Sequence, residues 1–483
     1  MALSLHLFDK WLNALARPRV LAWWFMCCAL PTGLASALLT PIGQFPDEMA
    51  HIIRADGLRY GHVFGMRPPP GFPPMTPTAG VPLNKGLFDV LVIPQWVGLT
   101  AGRGTPARVQ HQAEEVKWGK ASYWPTQMVE YLPVFYIPAA LGLLAGQVVG
   151  FSPLHALLLG RVAMLLCYVA LGAAALALAR FGGTLLFAVL TLPTLLNLAG
   201  SFNQDAPMVA GFTLAAALLT RTEIRAWAAG LAVLSLTVSA KLAYAPLLLL
   251  GLTPLLAPGL HKRLLGVALA ALLPGLWLLH VLHGGFIPAP VTPYHPAPLW
   301  PGNRSVWLHS AQPSDNIQVL LAHPWEIVRL PVITLIFFWP QTWRLILGMV
   351  GCDHGLIWAW EYPALVAALG MAMLGALAGR ARGWRMRDGM LACLAVFAAF
   401  LGMELSMYLT FTPAGYLVAM GVQGRYFLPF LPFFIFVLAG LGSGLARVRL
   451  PEGLFCGPAM ALAGINLVAL PWLVWRLYHG AGP

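Results

Sequence analysis

The chain is dominated by repeated apolar runs of about 16 to 25 residues, each long enough to carry a helix across a hydrocarbon core. A segment in lipid must satisfy its own backbone amides, which leaves only helices or a closed barrel. No ten-residue alternation of apolar and polar residues of the kind a barrel strand needs runs through the sequence. With 59% hydrophobic and 10% charged residues over 483 positions, the chain also lies outside the composition of soluble domains. The predicted fold is an all-α polytopic membrane protein forming a single domain over 1–483.

Runs at roughly 20–40, 155–179, 182–199, 205–220, 226–240, 242–258, 264–282, 358–379, 388–411, 426–445 and 454–477 predict about eleven spans. The first follows Lys10, Arg17 and Arg19 and reads as a retained signal anchor rather than a cleaved leader, because of its length. Cys27, Cys28, Cys167 and Cys393 fall inside apolar runs, so the six cysteines read as packing residues rather than a disulfide framework.

A net charge of +12 would suggest nucleic acid in a soluble chain, but here it follows topology. With the N-terminus inside, alternate loops hold fourteen basic residues against four acidic ones, including Arg180, Arg221, Arg225, Lys262, Arg263, Arg385 and Arg387. That asymmetry is the positive-inside pattern, and it needs no nucleic-acid partner. Two more apolar segments, 133–149 and 327–349, would invert the intervening loops if both crossed, and crossing by both would give thirteen spans. They are expected to lie along, or dip into, the outer face; the second carries Arg329, Pro331, Pro340 and Arg344 and is expected to be broken.

The resulting molecule is two-sided. Long extracytoplasmic regions are predicted at 42–154, with the proline-rich "MRPPPGFPPMTPTAGVP", and at 283–357. Unusual polar residues collect on that side: Asp47 and Glu48 after the first span, Asp205 before the fourth, Lys241 between two short apolar runs, and Gln423 and Arg425 before the tenth. In "PIGQFPDEMAHIIRADGLRYGH" the spacing sets Asp47, His51 and Arg54 along one helical stripe, whereas Asp47 and Glu48 diverge by about 100°. One of the two acids should face chemistry and the other should be structural or cation-bound. A carboxylate there could act as a general base, with Arg54, Lys241 and Arg425 neutralising a phosphate leaving group. The same set could line the pathway of a transporter.

The P-D-E-x-x-H-x-x-R pattern in "FPDEMAHIIRADGLRYGH" resembles a group of bacterial membrane proteins assigned to the GT-C glycosyltransferase superfamily. "YLPVFYIPAALG", "LLLGR" ending at Arg161, "SFNQDA", "SAKLAYAPLLLL", "IQVLLAHP" and "GVQGRYFLPFLP" extend the likeness along most of the chain. The resemblance implies a GT-C-like fold with juxtamembrane helices in the first outer loop, and sugar transfer from a polyprenyl-phosphate or pyrophosphate donor at the extracytoplasmic face of a bacterial inner membrane, with inversion. Asp47 takes the place of the base, with Glu48 as the substitute; Arg54, Lys241 and Arg425 are expected on the donor phosphate, and His51, Asp205, Gln423 and Tyr426 on sugar or acceptor. The acceptor would be a glycan, a lipid or a protein. No cofactor is expected, and the absence of D-x-D in the first loop argues against a metal, though a divalent ion stays open. A flippase or transporter for a lipid-linked saccharide, and a glycan ligase or polymerase, are the alternatives.

Overall fold

A computed structural model of the protein describes residues 12–70, 79–97, 105–253, 259–284, 290–291, 309–310, 313–351, 355–379, 384–443 and 452–480. Parts of the expected region 283–357 (285–289, 292–308, 311–312 and 352–354), part of the proline-rich stretch, and Lys10, Cys352, Arg380, Arg382, Arg447 and Arg449 lie outside the described residues.

Seventeen α-helices are described. The first nine are α1 Pro18–Leu39, α2 Glu48–Arg59, α3 Lys85–Val97, α4 Pro106–Glu114, α5 Ile137–Val148, α6 Pro153–Leu178, α7 Gly183–Leu190, α8 Pro193–Leu198 and α9 Asp205–Leu219. The rest are α10 Ile224–Ala240, α11 Leu260–Gly284, α12 Pro313–Ala322, α13 Glu326–Gly348, α14 Glu361–Ala378, α15 Met386–Phe411, α16 Phe434–Gly442 and α17 Glu452–His479. Eight segments are long and apolar enough to cross a membrane: α1, α6, α11, α13, α14, α15, Gly424–Gly442 and Gly453–His479. The protein is an all-α polytopic membrane protein.

Proline explains where regular helix begins and fails. Pro18, Pro153 and Pro193 sit in first turns, where a missing N–H costs nothing. Pro193 also separates α7 from α8, which together fill the run expected as one span. Leu242–Leu252 and Gly424–Phe433 are 3₁₀ rather than α-helix, and contain Pro246, Pro429 and Pro432, which remove i→i−4 bonds. Lys241 and Arg425 stand at the starts of these two tightened segments.

The first inter-span region folds on its own small core, built by α2, α3, α4, α5 and a two-stranded hairpin. Strand β1, Gly80–Asn84, pairs antiparallel with β2, Ala121–Pro125, an element the sequence reading did not foresee. Gly57 lets α2 rest directly on β1, since a Cβ there would come within 2.4 Å of Val81. Helix α5, at about 18 Å, is too short to cross. It lies against α6, where a Cβ on Gly142 would sit 2.7 Å from the Gly160 Cα.

Helix α13 corrects one expectation and bears on another. It runs unbroken for 23 residues through Pro331 and Pro340, so it is not the interrupted element expected. It is also long and apolar enough to cross, rather than only to lie along a face. Along it, Thr334 Oγ1 accepts from Ala419 N, beyond α15 (2.8 Å); at its finish, Thr194 donates to Leu345 O (3.1 Å) and accepts from Met349 N (2.7 Å). Gly351 N then donates to Asn197, which also bonds Ser36 near the end of α1. The ends of α1 and α15 lie together, because Arg425 beyond α15 meets Asp47 beyond α1.

Candidate functional site

Four charged side chains from four parts of the chain alternate in sign at that end. Asp205, the first residue of α9, accepts from Lys241 Nζ (2.6 Å) through one oxygen and pairs with Arg425 Nε (2.9 Å) through the other. Arg425 then reaches Asp47 Oδ2 with its terminal nitrogen. Local backbone explains the convergence. Lys241 ends α10 in extended geometry (φ −144°, ψ 97°), and Arg425 follows Gln423 in the same region (φ −119°, ψ 149°). Lys241 turns inward where α10 ends, and Arg425 where the non-helical stretch after α15 enters its 3₁₀ segment.

Asp47 and Glu48 diverge and find opposite environments, though not through the helical turn expected: α2 begins at Glu48, and Asp47 precedes it in a left-handed conformation. Glu48 is fully buried and bonded by both oxygens to Arg161 (2.8 and 2.7 Å), with Gly43 N donating at 2.8 Å. Arg161 also donates to the carbonyls of Ala37, Thr40 and Pro41. Glu48, the substitute base of the sequence reading, is thus the anchor of a turn and is closed to a substrate. The Asp47 side chain remains 46% exposed.

Asp47 has a further mark. Among the described residues it is the one non-glycine with positive φ (53°), a left-handed conformation that costs an L-residue about 1–2 kcal/mol. The strain is held from both sides. Asn203 Nδ2 donates to Pro46 O (3.2 Å), Glu48 N donates to Phe45 O (3.2 Å), and Glu48 is clamped by Arg161. The left-handed backbone at Asp47 is thus fixed by its neighbours while its carboxylate stays exposed.

The stripe of Asp47, His51 and Arg54 separates into distinct jobs. His51 is buried, its Nδ1 2.6 Å from the Tyr136 hydroxyl, and burial pushes its imidazole down to about 4. Arg54, expected at the donor phosphate, is completely buried and donates to the carbonyls of His62 (3.2 Å), Val63 (2.7 Å) and Tyr131 (3.3 Å). Those bonds make it a strut between α2 and the following loops, not a phosphate ligand. Asp56 completes the scaffold, taking Arg59 Nε at 2.6 Å and Asn84 N of β1 at 2.7 Å.

A cavity of about 150 Å³ opens beside Lys241. Tyr131, Tyr244 and Tyr426 line it with Leu242, Val281, Met403 and Met407. The Lys241 ammonium lies 4.5 Å from the Tyr426 ring centre and 5.7 Å from that of Tyr131. Gln423 borders Arg425 in sequence, and its Oε1 is buried with no hydrogen-bond partner among the described residues. Glu130 faces the same cavity, and burial lifts its carboxyl to about 7. Among the described residues no three His, Cys, Asp or Glu side chains gather as a metal cage.

The roles of Arg161, Tyr136 and Glu130 were not assigned from sequence. Arg161 had a signal: a lone arginine inside a 26-residue apolar helix, which lipid tolerates only when paired. Tyr136 and Glu130 had none, because their partners arrive from distant parts of the chain.

An all-α polytopic membrane protein with an internally paired polar cluster at one end is the class that fold and site define. The chain belongs to the DUF2142 family, described as "Predicted membrane protein", whose model matches residues 30–434 and so includes Asp47, Arg161, Asp205, Lys241 and Arg425. No curated protein and no solved structure matches it.

Proposed function

We propose that the protein is a GT-C-type glycosyltransferase that moves a sugar from a polyprenyl-phosphate-linked donor to an acceptor hydroxyl at the extracytoplasmic face of a bacterial inner membrane. The observation that carries this reading is the exposed, left-handed Asp47 carboxylate, joined through Arg425 and Asp205 to a lysine at the edge of an apolar cavity. A carboxylate and two cations held together beside an apolar cavity are what transfer from a lipid-linked phosphate donor needs.

The residues suit an in-line displacement with inversion. The acceptor hydroxyl gives its proton to the Asp47 oxygen not engaged by Arg425, and its own oxygen bonds to the anomeric carbon. The bond from that carbon to the phosphate oxygen breaks, and the phosphate leaves with the electron pair. Lys241 and Arg425 meet that charge, the lysine as a point donor and the arginine as a planar fork. The two acids and two cations already balance, so the donor phosphate binds by sharing Lys241 with Asp205 rather than by filling an excess of positive charge. Binding strength then rests on the hydrocarbon tail against Leu242, Val281, Met403 and Met407. Gln423, Tyr426 and Glu130 are placed to hold the sugar.

One observation favours a transporter. The helices broken at Pro193, Leu242–Leu252 and Gly424–Phe433 are the discontinuous elements such proteins use at their binding sites. Purified protein given lipid-linked monosaccharide or oligosaccharide donors, with products weighed by mass spectrometry, separates the readings. Transfer from the monosaccharide donor, lost in Asp47→Asn with donor binding kept, is the expected result. Normal transfer by Asp47→Asn refutes the assignment of the base; movement of donor across the bilayer without product makes the protein a transporter, and activity with the oligosaccharide alone makes it a ligase or polymerase.

A further inference from the structure

A second cavity, of about 240 Å³, lies between the first-loop helices and the bundle, and none of the charged network above lines it. Its walls come from five elements: Leu38 to Ile42 at the end of α1, Val90 of α3, Val109 and Ala113 of α4, Leu154 and Leu158 of α6, and His479 of α17. We propose that it is a binding site for one acyl chain of a membrane phospholipid, with the head group at the cavity mouth. The proposal stands apart from the transferase reading.

Two observations support it. First, the wall is built before any ligand arrives. Arg161 holds Thr40 O (2.6 Å) and Pro41 O (3.1 Å), and His479 Nε2 lies 2.8 Å from Leu39 O. Second, there is an entrance from lipid. Leu30, Leu34 and Leu38 are 37, 41 and 55% exposed at successive i+4 positions of an apolar span, and Leu38 is also a cavity residue. The stripe that lipid tails must cover thus leads into the cavity. The exposed His155 and His479 are the cavity's imidazoles, each with one ring nitrogen bonded to the chain, His155 Nδ1 to Ser152 Oγ at 2.8 Å and His479 Nε2 to Leu39 O at 2.8 Å.

The test uses the full chain in phosphatidylcholine nanodiscs carrying a trace of phospholipid with a mid-chain diazirine, irradiated and mapped by peptide mass spectrometry. Saturable labelling should concentrate on peptides containing 38–42, 109–113 and 154–158. Ala113→Trp or, from another wall, Leu158→Trp should abolish it while leaving label on the exposed Leu276 and Leu279 of α11, which reports that the protein is folded and in lipid. Labelling of 38–42 no stronger than that of α11, or unchanged by both tryptophans, overturns the site. Displacement by unlabelled polyprenyl phosphate but not by unlabelled phospholipid overturns the choice of ligand.

Discussion

Asp47 and Glu48 are neighbours in sequence, carry the same charge, and each meets an arginine, yet the two ion pairs are different devices. Glu48–Arg161 is closed: both side chains are 0% exposed, both carboxylate oxygens are used, and the guanidinium also gathers three carbonyls. Asp47–Arg425 is open: the arginine is buried, but the carboxylate is 46% exposed and only one oxygen is engaged. The difference shows what a buried pair can be used for. Satisfied on every side, it fixes a turn; left open on one, it can present a reactive atom that the first pair holds in place.

Breaking the closed pair should have the largest effect. Arg161→Ala leaves Glu48 buried and uncompensated, and breaking such a pair costs about 3–5 kcal/mol. Thermal unfolding in detergent should show a protein that is markedly destabilised or does not accumulate, whereas Asp47→Asn should unfold close to wild type. In activity the order reverses among variants that fold. Asp47→Asn should lose transfer by roughly 10²- to 10⁴-fold, the usual worth of a general base, measured as product formed at saturating donor. If Asp47→Asn destabilises as much as Arg161→Ala, the open pair is merely structural.

A smaller effect should come from Lys241→Met, which keeps the apolar stem but removes the charge. Donor binding should weaken about tenfold or more, read as a higher KM or Kd, and Arg425 stays with Asp205 to keep the fold. An unchanged donor affinity would remove Lys241 from the phosphate.

The smallest effect is a pH dependence with two arms. Burial raises Glu130 from its ordinary value of 4.5 to about 7, so the stability its neutral form gives is complete below pH 4.5 and is lost as pH rises to about 7. Burial lowers His51 from 6.5 to about 4, so the stability its neutral imidazole gives is complete above pH 6.5 and is lost as pH falls to about 4. Between pH 4.5 and 6.5 the two contributions oppose and largely cancel in the wild type, so Glu130→Gln should unmask the rise in melting temperature with pH that His51 gives there and remove the fall toward pH 7. A Glu130→Gln profile identical to wild type would mean that the carboxyl is hydrated in the cavity.

Much of the fold was legible because lipid imposes one-dimensional rules. The runs expected at 20–40, 155–179, 205–220 and 388–411 end within a few residues of α1, α6, α9 and α15. Hydrophobic length and proline were enough for that. They were not enough for the hairpin of β1 and β2, whose sequence "GVPLN" shows no strand alternation and is held by pairing with residues forty positions away. Nor did the two prolines of α13 break it, because each removes only one backbone bond from a helix packed along its length.

By itself the sequence determined that the chain is a helical membrane protein, which follows from hydropathy and the length of its apolar runs. That Asp47 and Glu48 point apart was expected from a 100° helical turn and is instead set by the left-handed backbone of Asp47, just outside the helix. Tertiary structure alone decided which acid stays open. Glu48 is sealed by an arginine 113 residues later and Asp47 is met by one 378 residues later. It also made Arg54 a strut. The role of a charge in this protein depends on which partner removes it from water, and partners so distant are chosen by packing rather than by spacing along the chain.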